Sequence, residues 1–110
     1  MALHIDRYVG DEEVLCDGTV CFNGVDRGVW DLRITPTRII VSGQSDDSVS
    51  VIFLKQICFV NLCCEYTSPK YKGWNVEIFC GNIRCNTLVT EDPKWAETLF
   101  HTIQQLVNDL

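Results

Sequence analysis

The sequence has 110 residues, 46% of them hydrophobic, and a formal net charge of −6. This length and apolar content are typical of one folded domain spanning residues 1–110 and argue against disorder, and the longest apolar runs are too short to span a membrane. The negative charge argues against nucleic-acid binding, which needs a basic surface, and it disfavours an anionic membrane. No secretory signal is visible in residues 1–8, and the sequence fits both a complete small protein and the first domain of a longer one.

Short apolar segments separated by turn residues continue from about residue 13 to residue 90, a pattern typical of antiparallel strands. Residues 1–12 precede them as a lead-in, from which Ile5, Tyr8 and Val9 are expected to pack on the body of the domain. We predict seven strands, which cover residues 14–22, 29–35, 38–42, 49–54, 57–66, 74–80 and 83–90. In the second strand one face is wholly apolar and consists of Trp30, Leu32 and Ile34.

The predicted strands are separated by turns and loops of recognisable composition. Asn23-Gly24 and Gly81-Asn82 are hairpin signals, because asparagine and glycine tolerate a positive φ. Asp17-Gly18 predicts a kink within the first strand. Residues 43–48 and residues 67–73 are predicted to be loops.

Residues 92–110 form the one convincing helix of the sequence. Asp92 is suited to the N-cap and Pro93 to the first helical position. One apolar stripe recurs at helical spacing and consists of Trp95, Leu99, Ile103, Leu106 and Leu110, with Phe100 and Val107 beside it. Because this stripe needs a sheet to pack on, we predict an all-β fold with one C-terminal α-helix. About seven antiparallel strands would form a barrel or two packed sheets, capped by the helix.

Seven cysteines are spread along the chain, at positions 16, 21, 58, 63, 64, 80 and 85. Their number is odd, no C-x-x-C occurs, and neither histidine stands at a spacing typical of zinc ligands. Most lie in apolar strand segments, where a free thiol behaves as a small hydrophobic group. We therefore expect reduced thiols, no metal and a cytoplasmic location.

The sequence contains no recognisable catalytic motif. His4 lies in the lead-in and His101 on the predicted helix, in neither case in an arrangement with a nucleophile. The adjacent carboxylates Asp46 and Asp47 lie on a polar loop, where we expect them to be solvated. No glycine-rich phosphate loop is present. We expect a protein that is not an enzyme and has no cofactor.

Four sequence features occur in a set order along the chain. They are the acidic opening G-D-E-E-V-L (residues 10–15), D-R-G-V-W-D-L-R-I-T-P-T-R-I-I-V-S (residues 26–42), S-V-S-V-I-F-L-K-Q-I (residues 48–57), and Trp95 near the start of the helix. In this order they resemble the pleckstrin-homology (PH) superfold, and in particular its GRAM and Bardet–Biedl-type branch. The resemblance covers nearly the whole chain. The polo-box fold, a six-stranded sheet ending in a helix, is the competing resemblance.

The resemblance implies two kinds of ligand, of which the first is a phosphoinositide. In the family, a lysine in the first strand and a basic pair in the second hold the phosphates. The matching positions here are Arg27 and Arg33, each close in sequence to an aspartate, and residues 13–22 contain no lysine or arginine. An ion pair of each arginine with a neighbouring aspartate is the simpler interpretation. Lys70 and Lys72 flank a tyrosine and form the other basic candidate for an anionic surface.

The second implied ligand is a protein or peptide, held in the groove between the fifth strand and the helix. The fifth strand is apolar on both faces. We expect Phe59, Leu62 and Cys64 to fill the barrel. The predicted groove residues are Cys58, Val60, Cys63 and Phe100. The helix covering this strand completely is the alternative that the sequence leaves open.

These observations favour a non-enzymatic PH-like interaction domain, an adaptor or scaffold within a larger cytoplasmic or cytoskeletal assembly. A phosphoinositide- or membrane-targeting PH or GRAM domain is the alternative. The sequence leaves the oligomeric state and the identity of the partner open.

Overall fold

The computed structural model describes residues 5–24, 28–44, 48–68 and 71–110, and all of their side chains except those of residues 65–68, 71, 72 and 85. Seven strands and one α-helix lie within these residues. They are β1 (Cys16–Phe22), β2 (Val29–Ile34), β3 (Arg38–Gly43), β4 (Val49–Phe53), β5 (Phe59–Ser68), β6 (Tyr71–Cys80), β7 (Ile83–Thr90) and α1 (Pro93–Asn108). The helix is not long and apolar enough to cross a membrane, nor is any other helix of the described residues.

All seven strands belong to one antiparallel sheet, in the order β4-β3-β2-β1-β7-β6-β5. Strands β1 to β4 and β5 to β7 are two meanders, and the pairing of β1 with β7 joins them. The sheet curls into a half-barrel around one apolar core, and α1 packs against β5, β6 and β7. The predicted fold class, all-β with one C-terminal helix, is confirmed.

The curled sheet brings the two edge strands, β4 and β5, within reach of a short connection. A 3-10 turn (Leu54–Gln56) makes this connection, and its first N–H donates to the Thr37 carbonyl oxygen at 2.9 Å. Leu54 is fully buried in the core. Residue 54 was predicted to end the fourth strand, but the chain has already left the sheet there to cross to β5.

Alternation within the strands places the core residues. Trp30, Leu32 and Ile34 are buried along β2, as the sequence predicts. They meet Val76 and Ile78 of β6 and apolar residues of α1 in one cluster. Burying each large aliphatic side chain is worth roughly 1.5–3 kcal/mol, which makes this cluster the main source of stability.

The helix begins as predicted, because the Asp92 carboxylate accepts from the Lys94 backbone N–H at 3.0 Å and Pro93 follows the cap. Its most deeply buried residues are Ala96, Leu99 and Ile103. Leu110, predicted as the last residue of the apolar stripe, lies beyond the helix and is 66% exposed. The stripe is therefore shorter than predicted, since the helix ends at Asn108.

The β5–β6 hairpin differs most from the prediction. Residues 67–73 were predicted to be a loop, but β5 continues to Ser68 and β6 begins at Tyr71, which pairs with Ser68. The ladder passes an irregularity between Tyr66 and Ser68. Threonine and tyrosine favour strands, in agreement with the extension of β5 and β6 into the predicted loop.

The described part of the lead-in packs on the body of the domain, as predicted, and it does so on the outer face of the sheet. Residues Ile5–Tyr8 form a 3-10 helix, and Ile5 and Val9 are buried against Ile40 of β3, with Tyr8 packed beside them. The Arg38 Nη1 donates to the Tyr8 carbonyl oxygen at 3.0 Å, which holds the segment in place. Strand β3 is therefore buried on both faces.

Candidate functional site

A small groove separates the start of β5 from the last turns of α1. Its cavity of about 80 Å³ is lined by Cys58, Phe59 and Val60 on one side and by Gln104, Val107 and Asn108 on the other. These lining residues carry no charged side chain. The groove therefore suits an uncharged, partly apolar segment of another chain.

The predicted groove residues are only partly brought together. Cys58 and Val60 line the groove. Cys63 lies on the outer face of the sheet, where its Sγ donates to the Glu77 carboxylate at 3.5 Å. Phe100 packs against the core, and its ring lies 5.4 Å from that of His101.

The orientation of β5 corrects a prediction. Phe59 was expected to fill the barrel, but it is 49% exposed and stacks on Phe79 with ring centroids 4.3 Å apart. Val60 packs against the core instead, together with Leu62. The interpretation of β5 as apolar on both faces is wrong: Val60, Leu62 and Cys64 share one face, whereas Phe59 shares the other with the polar Asn61. Alternation therefore favours burial of the face that carries Val60, and the pairing with β6 agrees, since Val60 lies opposite the buried Ile78.

Strand β5 also ends the sheet, so in the described part of the chain only one of its two edges is paired, with β6. The helix packs next to it. An edge strand offers backbone N–H and C=O groups to an incoming strand, and an adjacent helix supplies side-chain contacts. This arrangement can hold an extended peptide.

A polar network on the outer face of β5, β6 and β7 was not predicted. The Glu77 carboxylate accepts from Arg84 Nη1 at 2.7 Å and from Asn61 Nδ2 at 3.0 Å. The hydrogen bond from Arg84 and then that from Asn61 hold the pKa of Glu77 below its ordinary value. Cross-strand pairing brings the three residues together, so no local sequence signal could have revealed the network.

Arg33 is the one predicted lipid-binding residue whose side chain is described. Its Nε lies 3.5 Å from the Asp6 carboxylate, and its Nη1 donates to the Leu32 carbonyl oxygen at 2.9 Å. Arg33 therefore pairs with Asp6 of the lead-in and not with the neighbouring Asp31, which accepts from Gln44 at 2.9 Å. Arg27, Lys70 and the side chain of Lys72 lie outside the described residues.

The thiols of β1 are poor candidates for chemistry. Burial, and to a smaller extent the charge of Asp17, raises the pKa of Cys16. Burial and the charge of Glu91 do the same to the pKa of Cys21. A raised pKa leaves less of the reactive thiolate at neutral pH. In the described part of the chain, no three His, Cys, Asp or Glu side chains form a group able to hold a metal ion.

No protein-family model matches the chain, and no curated protein matches its sequence.

Proposed function

We propose that this chain is a non-enzymatic, PH-like protein-interaction domain that binds an extended peptide along the edge of β5, beside α1. It would act as an adaptor or scaffold within a larger cytoplasmic or cytoskeletal assembly. The observation that carries the proposal is the groove between an edge strand and a helix, lined by Cys58, Val60 and Val107.

The groove is suited to backbone recognition. A peptide strand paired with β5 gains main-chain hydrogen bonds whatever its sequence, and the groove beside it selects the side chains. Because the lining residues are uncharged and the cavity is about 80 Å³, the fitting side chain is small and apolar. Specificity would then come from one such residue at a fixed position of the peptide.

The strand order supports the PH-like part of the proposal. Seven antiparallel strands followed by a helix that packs on β5 to β7 are the arrangement that the resemblance to this superfold implies. Trp95 also lies near the start of the helix, as the resemblance implies.

The phosphoinositide alternative has weaker support. The Arg33 guanidinium forms an ion pair with Asp6 and a hydrogen bond to a backbone carbonyl oxygen. A phosphate could bind there only after these contacts had been broken. The net charge of −6 also repels an anionic bilayer.

Selection of a random displayed-peptide library on the folded domain tests the proposal. Backbone amide shifts in an NMR titration with a selected peptide should then change along β5 and in the last turns of α1. Gln104→Arg places a long charged side chain in the groove and should weaken binding at least about tenfold. Gln105→Arg is the matched control, because Gln105 is the next helical residue and does not line the groove.

The control variant should bind as the wild type does. Selected peptides whose shifts map away from β5 and α1, or equal affinities of the two variants, would show that the groove is not the binding site.

A further inference from the structure

Strands β1 and β7 pair over only part of their length. The ladder between them consists of Cys21 opposite Val89 and Phe22 opposite Leu88. Toward Cys16, β1 diverges from β7, and Trp95 of α1 lies in the gap, where its Nε1 donates to the Thr19 carbonyl oxygen at 2.8 Å. The edge of β1 at the sheet's central junction is therefore held by a side chain and not by a strand.

The divergence opens a cleft with two adjoining cavities. One has a volume of about 340 Å³, and the other a volume of about 330 Å³. Both are lined by Thr19 and Thr90, which makes them neighbouring parts of one depression. We call this depression the β1–β7 cleft.

The β1–β7 cleft combines apolar walls with acidic side chains. The apolar walls of the first cavity include Cys21, Val29 and Val89. Glu91 lines the same cavity, and Asp17 and Asp92 line the second. No lysine or arginine lines either cavity in the described part of the chain.

Three described arginines and the lysine nearest in sequence do not neutralise these acids. The arginines at positions 33, 38 and 84 form ion pairs with Asp6, Glu12 and Glu77. Lys94 is close in sequence but does not line the cleft. Among the described residues, the cleft therefore presents three carboxylates beside apolar side chains and no lysine or arginine.

We propose that the β1–β7 cleft docks a segment of a partner protein in which lysine or arginine stands beside aliphatic residues. The aliphatic groups would contact Val29 and Val89, and the cations would approach Glu91 and Asp17. Charge complementarity decides this choice of occupant, because a phosphate-bearing ligand would be repelled by the same carboxylates. A metal ion fits less well, since the described carboxylates form no ion-binding group. A second copy of the chain, with a net charge of −6, would also be repelled.

This surface is separate from the groove beside β5, so each proposal can fail alone. The probe is a short synthetic peptide of alternating lysine and valine, titrated into the isotopically labelled chain at roughly physiological salt. Amide shifts should change at Thr19, Cys21 and Val89 and in the turn to α1. The same peptide with glutamate in place of lysine should not bind.

A pair of charge-matched variants separates docking from general attraction. Asp17→Asn/Glu91→Gln removes two charges from the cleft, and Asp11→Asn/Asp109→Asn removes two exposed charges that do not line it. We expect the cleft variant to lose at least about tenfold in affinity and the control variant less than about twofold. Gln104→Arg should leave this binding unchanged.

Equal losses in the two charge variants, or shift changes spread over the whole surface, would overturn the proposal, as would the absence of binding by the lysine peptide. Equal melting temperatures of the two variants would establish that the comparison concerns binding and not folding.

Discussion

The Trp95 indole lies directly against Gly18, so closely that a β-carbon at position 18 would stand 2.5 Å from the ring atom Cζ2. The same indole donates to the carbonyl oxygen of the neighbouring Thr19. Glycine weakens a strand interior, but here its missing side chain leaves the space in which the helix docks on β1. Gly18 and Trp95 together therefore set the position of the start of α1 on the sheet.

Gly18→Ala should destabilise the domain by about 1–3 kcal/mol, the usual cost of an overpacked contact. The free energy of unfolding, measured by urea denaturation followed with far-ultraviolet circular dichroism, tests this. In a Trp95→Ala background the same substitution should cost much less, because the ring is gone. An equal cost in both backgrounds would show that the loss comes from the strand itself and not from the contact.

Trp95→Ala should cost roughly 3 kcal/mol, the lower end of the range for aromatic residues, because the indole is half-buried and not fully enclosed. Trp95→Phe keeps a ring in place but removes the donor to the Thr19 carbonyl oxygen, so it should cost about 1 kcal/mol. An unchanged melting temperature of the alanine variant would mean that the start of the helix is not docked on β1.

The hydrogen bonds of Glu12 predict that the domain loses stability in acid. Its carboxylate accepts from Thr37 Oγ1 at 2.6 Å, from Arg38 Nε at 2.8 Å and from Thr35 Oγ1 at 3.1 Å. The hydrogen bond from Thr37 is the largest of the effects that lower the pKa of Glu12 from its ordinary value of 4.5. Because the pKa of Glu12 is lower in the folded state, its carboxylate stabilises the fold above pH 4.5. This stabilisation is lost as the pH falls through the folded-state pKa.

Glu12→Gln should therefore lower the melting temperature at neutral pH and flatten its decline below pH 4.5. Glu13→Gln is the matched control, since it changes the next residue and removes the same charge. If the two variants have the same pH profile as the wild type, the carboxylate of Glu12 does not link the lead-in to the turn before β3.

The thiols and the absence of zinc are tested on freshly prepared protein. Intact mass without reductant should equal that of the chain with seven thiols, because the odd number and spacing of the cysteines predict no disulfide framework. Elemental analysis should find no stoichiometric metal. A mass lower by the hydrogens of a disulfide, or one equivalent of zinc, would contradict this prediction.

Phosphoinositide vesicles should not bind the domain tightly at physiological salt. The Arg33 guanidinium is held by Asp6, and the net charge of −6 opposes an anionic surface. Vesicle co-sedimentation over several phosphoinositides measures this. Micromolar or tighter binding that disappears in Arg27→Ala/Arg33→Ala would favour the lipid-targeting alternative.

The sequence by itself predicted the features that depend on neighbouring residues. The Asp92 cap and Pro93 specify where the helix begins, because both act within one turn. Positive φ at Asn23 and Gly81 lies where the turn signals predict it. Alternation of Trp30 and Leu32 predicted the buried face of β2, because only one face of that strand is wholly apolar.

Only the tertiary structure decided which residues meet across the chain. Phe59, predicted to fill the barrel, lies on the outer face, where it stacks on Phe79 of the paired strand β6. Arg33 meets Asp6, and Trp95 meets Gly18, over sequence separations that carry no local pattern. Such contacts, like the groove beside β5 and the β1–β7 cleft, exist because the sheet curls and brings distant segments together, and no short-range preference encodes that geometry.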